Sequence, residues 1–177
     1  MEEVVNPPRT IMEVFQMLPE GTLAEVIENT LYMSPTPITN HQRIIRKLSV
    51  QIDLHLTATN LGELFFAPFD VFLDKTSNAV QPDILVILTE NLGIIDEKST
   101  IHGVPDLIVE ILSSGNRKHD LVIKRALYEK FGVKEYWVID PATKESIGFS
   151  LKDHSYVEFY KGNGEIHSQL LNRPFIF

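Results

Sequence analysis

The sequence predicts an α/β fold in which a central mixed β-sheet is flanked by helices. Strand-length apolar runs lie on both sides of two amphipathic segments, 40–60 and 117–131, which have helical periodicity. Segment 104–112, VPDLIVEIL, is apolar on both faces of an extended chain. A strand of this composition belongs at the centre of a sheet that is covered on both sides.

The chain begins with an arm and a short helix. Its 177 residues are expected to form a single domain, 1–177, of which residues 1–20 are the arm and helix. Thr10 and Glu13 have the spacing of a capping box, which predicts a helix over 11–18.

A hairpin and a long helix are predicted next. Strands 23–27 and 30–34 have suitable composition and are separated by the turn residues 28–29. Thr39 or Asn40 is expected to cap the helix. The apolar residues of this helix follow the 3, 4, 7 spacing of a buried stripe: Ile44, Ile45, Leu48, Ile52 and Leu56.

Short strands and turns fill most of the remaining chain. Gly62 is expected just past the end of the long helix, and Gly132 at the end of the second helix. The polar residues 75–79 and 113–119 indicate turns, and 89–103 indicates a loop. Strands are predicted at 64–67, 70–74, 82–88, 104–112, 135–140, 146–151 and 156–160.

The composition narrows the classes of function. The net charge of −8 argues against broad, non-specific nucleic-acid binding, although it permits a local basic patch. The absence of cysteine excludes disulfides and thiolate metal sites, so any metal ligands must be Asp, Glu or His. No apolar run reaches the length of a membrane span, and the N-terminus lacks the pattern of a signal peptide. A cytoplasmic location is therefore expected.

Glu110 is the anomalous residue of the central strand. A carboxylate among Val109, Ile111 and other aliphatic residues costs several kcal/mol unless it is paired, bound to a metal or protonated. Asp83 precedes Glu110 by 27 residues, and Lys124 follows it by 14 on the next helix. Two carboxylates and a lysine that converge in this way suit Mg²⁺ and a phosphate ligand.

The motifs in this order resemble the Uma-two endonuclease family, a restriction-endonuclease-like branch of the PD-(D/E)XK superfamily. The resemblance covers most of residues 22–150 and implies a restriction-endonuclease-like core. The matching features are Glu25 in the hairpin with YMSP (32–35), His41-Gln42 at the start of the long helix, QPDILVI (81–87), GVPDLIVEILS (103–113), Asp120 with Lys124 and Tyr128, and GVKEYWVIDP (132–141).

The resemblance implies roles for five residues. Asp83 and Glu110 would be metal ligands, with the Ile111 carbonyl as a further ligand. The superfamily's usual lysine, two residues after the acid, is absent because position 112 is leucine, and Lys124 would replace it. Glu25 would be an auxiliary acid near the metal, and the alternative is that it is a solvent-facing strand residue.

Other polar residues have simpler explanations. His41 is expected to be a helix cap or an internally hydrogen-bonded residue, and Asp120 to position Lys124 or cap its helix. Asp106 lies four residues from Glu110, about 13 Å along a strand, and is expected to be structural. Tyr128 is expected in the core or an interface.

These observations predict an Mg²⁺-dependent endonuclease that hydrolyses phosphodiester bonds in nucleic acid, most simply DNA, with Mn²⁺ as a substitute metal. A homodimer would supply the two sites that double-strand cutting requires. One alternative is a catalytically inactive module on the same fold that binds nucleic acid or protein. Another is a phosphoesterase that acts on small nucleotides.

Overall fold

A computed structural model describes residues 7–96, 100–113 and 119–177. Its described residues form a mixed α/β architecture with two main sheets. The helices are α1 (Ile11–Gln16), α2 (Thr39–Thr59) and α3 (Arg125–Phe131). The strands are β1 (Ala24–Ile27), β2 (Thr30–Met33), β3 (Gly62–Phe66), β4 (Val71–Phe72), β5 (Ala79–Val80), β6 (Ile84–Leu88), β7 (Ile101–His102), β8 (Leu107–Ile111), β9 (Glu135–Ile139), β10 (Glu145–Lys152), β11 (Ser155–Asn163), β12 (Glu165–Ser168) and β13 (Arg173–Ile176).

The central sheet has six strands in the order β11-β10-β9-β8-β6-β3. It is mixed, because β8 pairs parallel to β9 and antiparallel to β6. A second sheet, β2-β1-β5-β4-β7, carries the predicted hairpin. The hairpin turn at Glu28 and Asn29 is confirmed, and both residues have positive φ, as tight hairpin turns require.

The two faces of β8 are buried as predicted. Leu107, Val109 and Ile111 pack in one cluster with the apolar stripe of α2. Ile108 packs in a second cluster with Leu127 of α3. Helices therefore cover opposite faces of the sheet, and Glu110 projects from the face that α3 covers. The predicted fold class is confirmed.

The helix ends differ in part from the predictions. The capping box of Thr10 and Glu13 is confirmed. The first residue outside α2 is Ile38, which makes no side-chain capping bond, so the prediction of Thr39 or Asn40 as the cap is wrong. Asn60, rather than Gly62, takes the left-handed conformation at the other end, because asparagine also tolerates positive φ.

Two segments predicted as irregular contain regular structure. The loop prediction for 89–103 is wrong in part, since it holds the 3₁₀ helix Thr89–Ile94 and strand β7. Its residues 97–99 lie outside the described residues. The predicted turn 75–79 extends one residue too far, because Ala79 begins β5. Such two-residue strands are defined by distant pairing partners and have no local pattern.

The second predicted helix, 117–131, is an α-helix over Arg125–Phe131. The π-helical turn His119–Lys124 precedes α3, and Gly132 ends α3 as predicted. Residues 114–118, with most of the predicted turn 113–119 and the start of the helix, lie outside the described residues. In the described part of the chain, no helix has the length and apolar character needed to cross a membrane.

Candidate active site

Of the two predicted metal ligands, Asp83 directly precedes β6 and Glu110 lies on β8, the antiparallel neighbour of β6. Ile84 of β6 is opposite Val109 of β8. The same register, extended by one residue, places Asp83 opposite Glu110. Directly opposed residues of an antiparallel pair project from the same face of the sheet, so the two carboxylates are neighbours.

Lys124 reaches the carboxylates from the π-helical turn. Its Nζ lies 3.0 Å from Glu110 Oε1 and 2.9 Å from Glu25 Oε1. Asp120 Oδ1 is 3.8 Å from the same nitrogen. All four side chains are buried, with Glu25 only 2% exposed. The structure therefore brings Glu25, Glu110 and Lys124 together around one ammonium group.

Among the described residues, the contacts to Asp83 all use one carboxylate oxygen. Its Oδ2 accepts a hydrogen bond from the Ile111 backbone N–H at 2.7 Å. His41 Nε2 lies 3.0 Å from the same oxygen. These contacts connect β6, β8 and the first turn of α2, and they fix the orientation of the carboxylate.

Tyr128 is a buried hydrogen-bond donor to the site. Its hydroxyl donates to Glu110 Oε1 at 2.7 Å. Lys124 and Tyr128 are four residues apart, so they lie on one side of the helix and both bind the same oxygen. Tyr128 is a core residue, as predicted, but it also orients Glu110.

Replacement of Tyr128 with phenylalanine tests this orientation. We expect Tyr128→Phe to lower the free energy of unfolding by about 1–2 kcal/mol, because it removes one hydrogen bond to a buried carboxylate. We also expect Mn²⁺ affinity to fall by about 10-fold or more, because Glu110 is a predicted metal ligand that Tyr128 orients. Urea unfolding and Mn²⁺ titration measure the two effects.

Tyr156→Phe is the matched control. The Tyr156 hydroxyl is buried and donates to the Val133 carbonyl at 3.0 Å, away from the carboxylates. This variant should lose similar stability and keep its Mn²⁺ affinity. Equal Mn²⁺ affinities for the two variants would contradict an orienting role for Tyr128.

The predicted site residues line one cavity of about 110 Å³. Its walls come from the hairpin, the start of α2, the ends of β6 and β8, and the π-helical turn. The polar lining residues are Glu25, Ser34, His41, Gln42, Gln81, Asp83, Glu110, Ser113, His119, Asp120 and Lys124. Ile111 also lines the cavity, and its backbone N–H binds Asp83.

The ionisable groups in this cavity have shifted pKa values, and the two glutamates shift in opposite directions. Burial raises the pKa of Glu110 well above its usual range, although Lys124 opposes this. Burial also acts to raise the pKa of Glu25, but Lys124, the nearby His119 imidazole and a hydrogen bond from the Gln81 backbone N–H bring it below its usual value. Burial acts to lower the pKa of Lys124, yet the neighbouring carboxylates together raise it well above normal. Lys124 therefore stays protonated at neutral pH.

Asp120 gives the apo protein a pH-dependent stability. Burial, opposed in part by Lys124, raises the pKa of its carboxyl to about 6. Since the folded-state pKa exceeds the unfolded value of about 3.9, the stability that Asp120 contributes is fully present below about pH 4. This stability is lost as the pH rises through about 6.

The Asp120→Asn variant should remove this dependence. Relative to wild type in EDTA, we expect its free energy of unfolding to increase between pH 4 and pH 7 by up to about 3 kcal/mol. Urea unfolding at several pH values gives the difference directly. A constant difference across this range would contradict the raised pKa of Asp120.

The donor set fits a small, hard cation. In the described residues, the contacts to Asp83 all use Oδ2 and those to Glu110 all use Oε1, which leaves one oxygen of each carboxylate for a ligand. Those residues contain no cluster of three or more His, Cys, Asp or Glu side chains arranged around a common metal position. Mg²⁺ commonly uses only one or two carboxylates, with water and substrate phosphate as its other ligands.

Two histidines contact the site: His41, which was expected to be a helix cap or an internally hydrogen-bonded residue, and His119, which the sequence pattern did not single out. His41 binds Asp83 and is not a helix cap, and its buried Nδ1 has no hydrogen-bond partner among the described residues. His119 Nε2 lies 3.7 Å from Glu25 Oε2. The position of His41 in the first turn of α2 was the available signal, whereas nothing in the sequence around His119 indicated its contact.

Asp106 lies outside the cavity, as predicted. Its Oδ2 accepts a hydrogen bond from the Leu88 backbone N–H at 2.8 Å, and its Oδ1 is 2.9 Å from Lys134 Nζ. Asp106 thus joins β8 to the neighbouring segments. Asp106 therefore has a structural role, although it is a buried carboxylate only four residues before Glu110.

The sequence of this chain matches a known protein family. The sequence profile of Uma2, described as "Putative restriction endonuclease", matches residues 12–172. The chain belongs to the Uma2 family. The match includes every predicted site residue, and the resemblance inferred from the motifs is confirmed.

A solved structure supports the fold of this Uma2 chain. The chain is similar to a crystal structure from Anabaena variabilis described as "a putative nuclease belonging to DUF820", with a TM-score of 0.70 and 20% sequence identity. The similarity covers 86% of this chain and 84% of that chain. At this identity it shows a common restriction-endonuclease-like fold. No functionally curated protein matches the sequence.

Proposed function

We propose that this protein is an Mg²⁺-dependent endonuclease that hydrolyses phosphodiester bonds in DNA. The main support is the position of the Lys124 ammonium group, which lies 3.0 Å from Glu110 Oε1 in a cavity that Asp83 also lines. Membership of the Uma2 family supports a nuclease.

The metal would be held by Asp83 and Glu110, with the Ile111 carbonyl as a further ligand. When bound, Mg²⁺ stabilises negative charge on phosphoryl oxygens and lowers the pKa of a bound water. The hydrogen bond from the Ile111 N–H orients the Asp83 carboxylate. The hydrogen bonds from Lys124 and Tyr128 orient that of Glu110.

Lys124 would act as a fixed cation at the reacting phosphate. Its pKa is raised well above normal because the surrounding carboxylates outweigh the effect of burial. A protonated amine can orient the attacking water or neutralise charge that develops on the phosphoryl group. Glu25 would assist by holding Lys124 through its 2.9 Å contact.

A plasmid-nicking assay tests the proposed activity. Wild-type protein should convert supercoiled plasmid to open-circular or linear DNA in Mg²⁺ or Mn²⁺, and EDTA should abolish the conversion. Asp83→Asn keeps an oxygen that can accept the Ile111 hydrogen bond but removes a charged ligand. Its rate should fall by more than about 100-fold, beyond the usual effect of a residue that only orients a ligand. Metal-independent conversion, or equal rates for both proteins, would contradict the proposal.

An inactive binding module is the main alternative. The net charge of −8 favours it, because an enzyme that binds DNA along its whole surface needs basic residues. Retention of Asp83, Glu110 and Lys124 together argues against it, since a binding module does not need all three. The same acidic charge is compatible with a phosphoesterase that acts on small nucleotides, which substrate screening would reveal.

The proposal has two consequences for the state of the protein. Double-strand cleavage by a fold with one site requires two copies, so we expect a homodimer for that reaction. We also expect a cytoplasmic enzyme, in keeping with a composition that contains no cysteine.

A further inference from the structure

The first half of α2 differs in charge from the rest of the protein. The chain has 24 acidic and 16 basic residues, but residues 29–52 contain no acidic residue. Within that segment, Arg43, Arg46 and Lys47 lie at i, i+3 and i+4 and therefore share one side of the helix. We refer to these three residues as the α2 basic strip.

The side chains of the α2 basic strip are exposed, and none of them forms an ion pair with a described acidic residue. Some of the other exposed lysines do form such pairs. Lys130 lies 3.0 Å from Glu28, and Lys161 lies 3.3 Å from Glu145. The strip therefore presents positive charge that nearby carboxylates do not neutralise.

The α2 basic strip begins beside the candidate active site. Gln42 and Ile45 line the cavity, and Arg46 follows Gln42 by one helical turn on the same side. The N-terminus of α2 lies at this end of the strip and has no side-chain cap. Its unpaired N–H groups and helix dipole also favour anions there.

We propose that the α2 basic strip binds the sugar–phosphate backbone of duplex DNA next to the cleaved bond. Arg43 and Lys47 are separated by about 6 Å along the helix axis. This separation is close to the rise of two nucleotides of one DNA strand along the duplex axis, at about 3.4 Å each. The strip gives an acidic protein a local surface for a polyanion and holds the DNA across the cavity. This inference rests on the proposed nuclease function.

The salt dependence of DNA binding tests the inference. The strip variant Arg43→Gln/Arg46→Gln/Lys47→Gln removes three positive charges. The control variant Lys75→Gln/Lys144→Gln/Lys152→Gln removes the same number from exposed positions outside the cavity. Fluorescence anisotropy with a labelled 20-base-pair duplex, in EDTA to prevent cleavage, gives the association constant of each protein at several salt concentrations.

The slope of log K against log salt is negative, and each lost phosphate contact should reduce its magnitude by about 0.9. We expect the slope of the strip variant to be shallower than that of wild type by about two to three, and the slope of the control to change little. Equal slopes for the two variants would overturn the inference, as would a wild-type protein that does not bind the duplex. Strip-dependent binding without metal-dependent nicking would support the inference and contradict only the proposed catalytic function.

Discussion

The Glu110→Gln variant should fold and lose more than about 100-fold of the metal-dependent cleavage rate. Glutamine retains an oxygen that can accept the hydrogen bonds from Lys124 and Tyr128, which lie 3.0 and 2.7 Å from Glu110 Oε1. It lacks the negative charge with which a carboxylate ligand stabilises a hard divalent cation. Loss of a ligand should exceed the 10- to 100-fold effects usual for residues that orient one. Plasmid nicking at saturating Mg²⁺ measures the rate.

Asp106→Asn is the matched control for this variant. Asp106 is a buried carboxylate near the start of β8, but it binds the Leu88 backbone and Lys134 rather than the cavity. Its replacement should reduce stability and leave cleavage nearly unchanged. A large loss of cleavage in both folded variants would mean that any buried charge in this region affects activity, and the specific role of Glu110 would be rejected.

The Lys124→Met variant should lose both activity and stability. Methionine removes the cation between Glu25 and Glu110, which are 2% and 3% exposed, and leaves their carboxylates without a positive partner. Breaking a buried ion pair in this way typically costs about 3–5 kcal/mol. Removing the donor from the reacting phosphate should also lower the cleavage rate by about 100- to 1,000-fold. Urea unfolding and plasmid nicking measure the two losses.

Two further variants separate burial from charge. Lys130→Met breaks an ion pair with Glu28 in which both side chains are more than half exposed, and it should cost less than about 1 kcal/mol. The double variant Lys124→Met/Glu25→Gln removes one of the stranded charges and should be more stable than Lys124→Met alone. Equal losses for Lys124→Met and Lys130→Met would contradict the buried charge network.

Local sequence patterns predict much of this fold. The capping box at Thr10 and Glu13, the hairpin turn at Glu28 and Asn29, and the stripe of α2 each depend on residues close in sequence. The aliphatic faces of β8 likewise indicate a strand buried on both sides. These features follow from backbone conformation and the period of apolar residues, which a sequence displays directly.

Features that depend on distant partners are less accessible to sequence reasoning. Strands β5 and β7 have two residues each and exist through pairing with β1 and β4. The π-helical turn has the same local composition as an α-helix, so the sequence predicts the ordinary helix. No periodicity distinguishes the two forms.

The residues of the candidate site also differ in how far the sequence predicts them. Glu110 is detectable because an unexplained charge in an aliphatic strand is costly. Lys124 and Asp83 follow from spacing and from the resemblance to a family. His41 and His119 contact the site through side chains that are distant in sequence from Asp83 and Glu25. Their contribution depends on how the hairpin, α2 and the π-helical turn pack together.

Titration with Mn²⁺, observed by electron paramagnetic resonance, tests the central claim that Asp83 and Glu110 hold a divalent cation. Wild-type protein should bind one Mn²⁺ per chain in a saturable manner, and Mg²⁺ should compete for the site. Glu110→Gln and Asp83→Asn should each lose this binding, whereas Asp106→Asn should retain it. Absence of saturable binding by wild type, or equal binding by wild type and Glu110→Gln, would contradict the account.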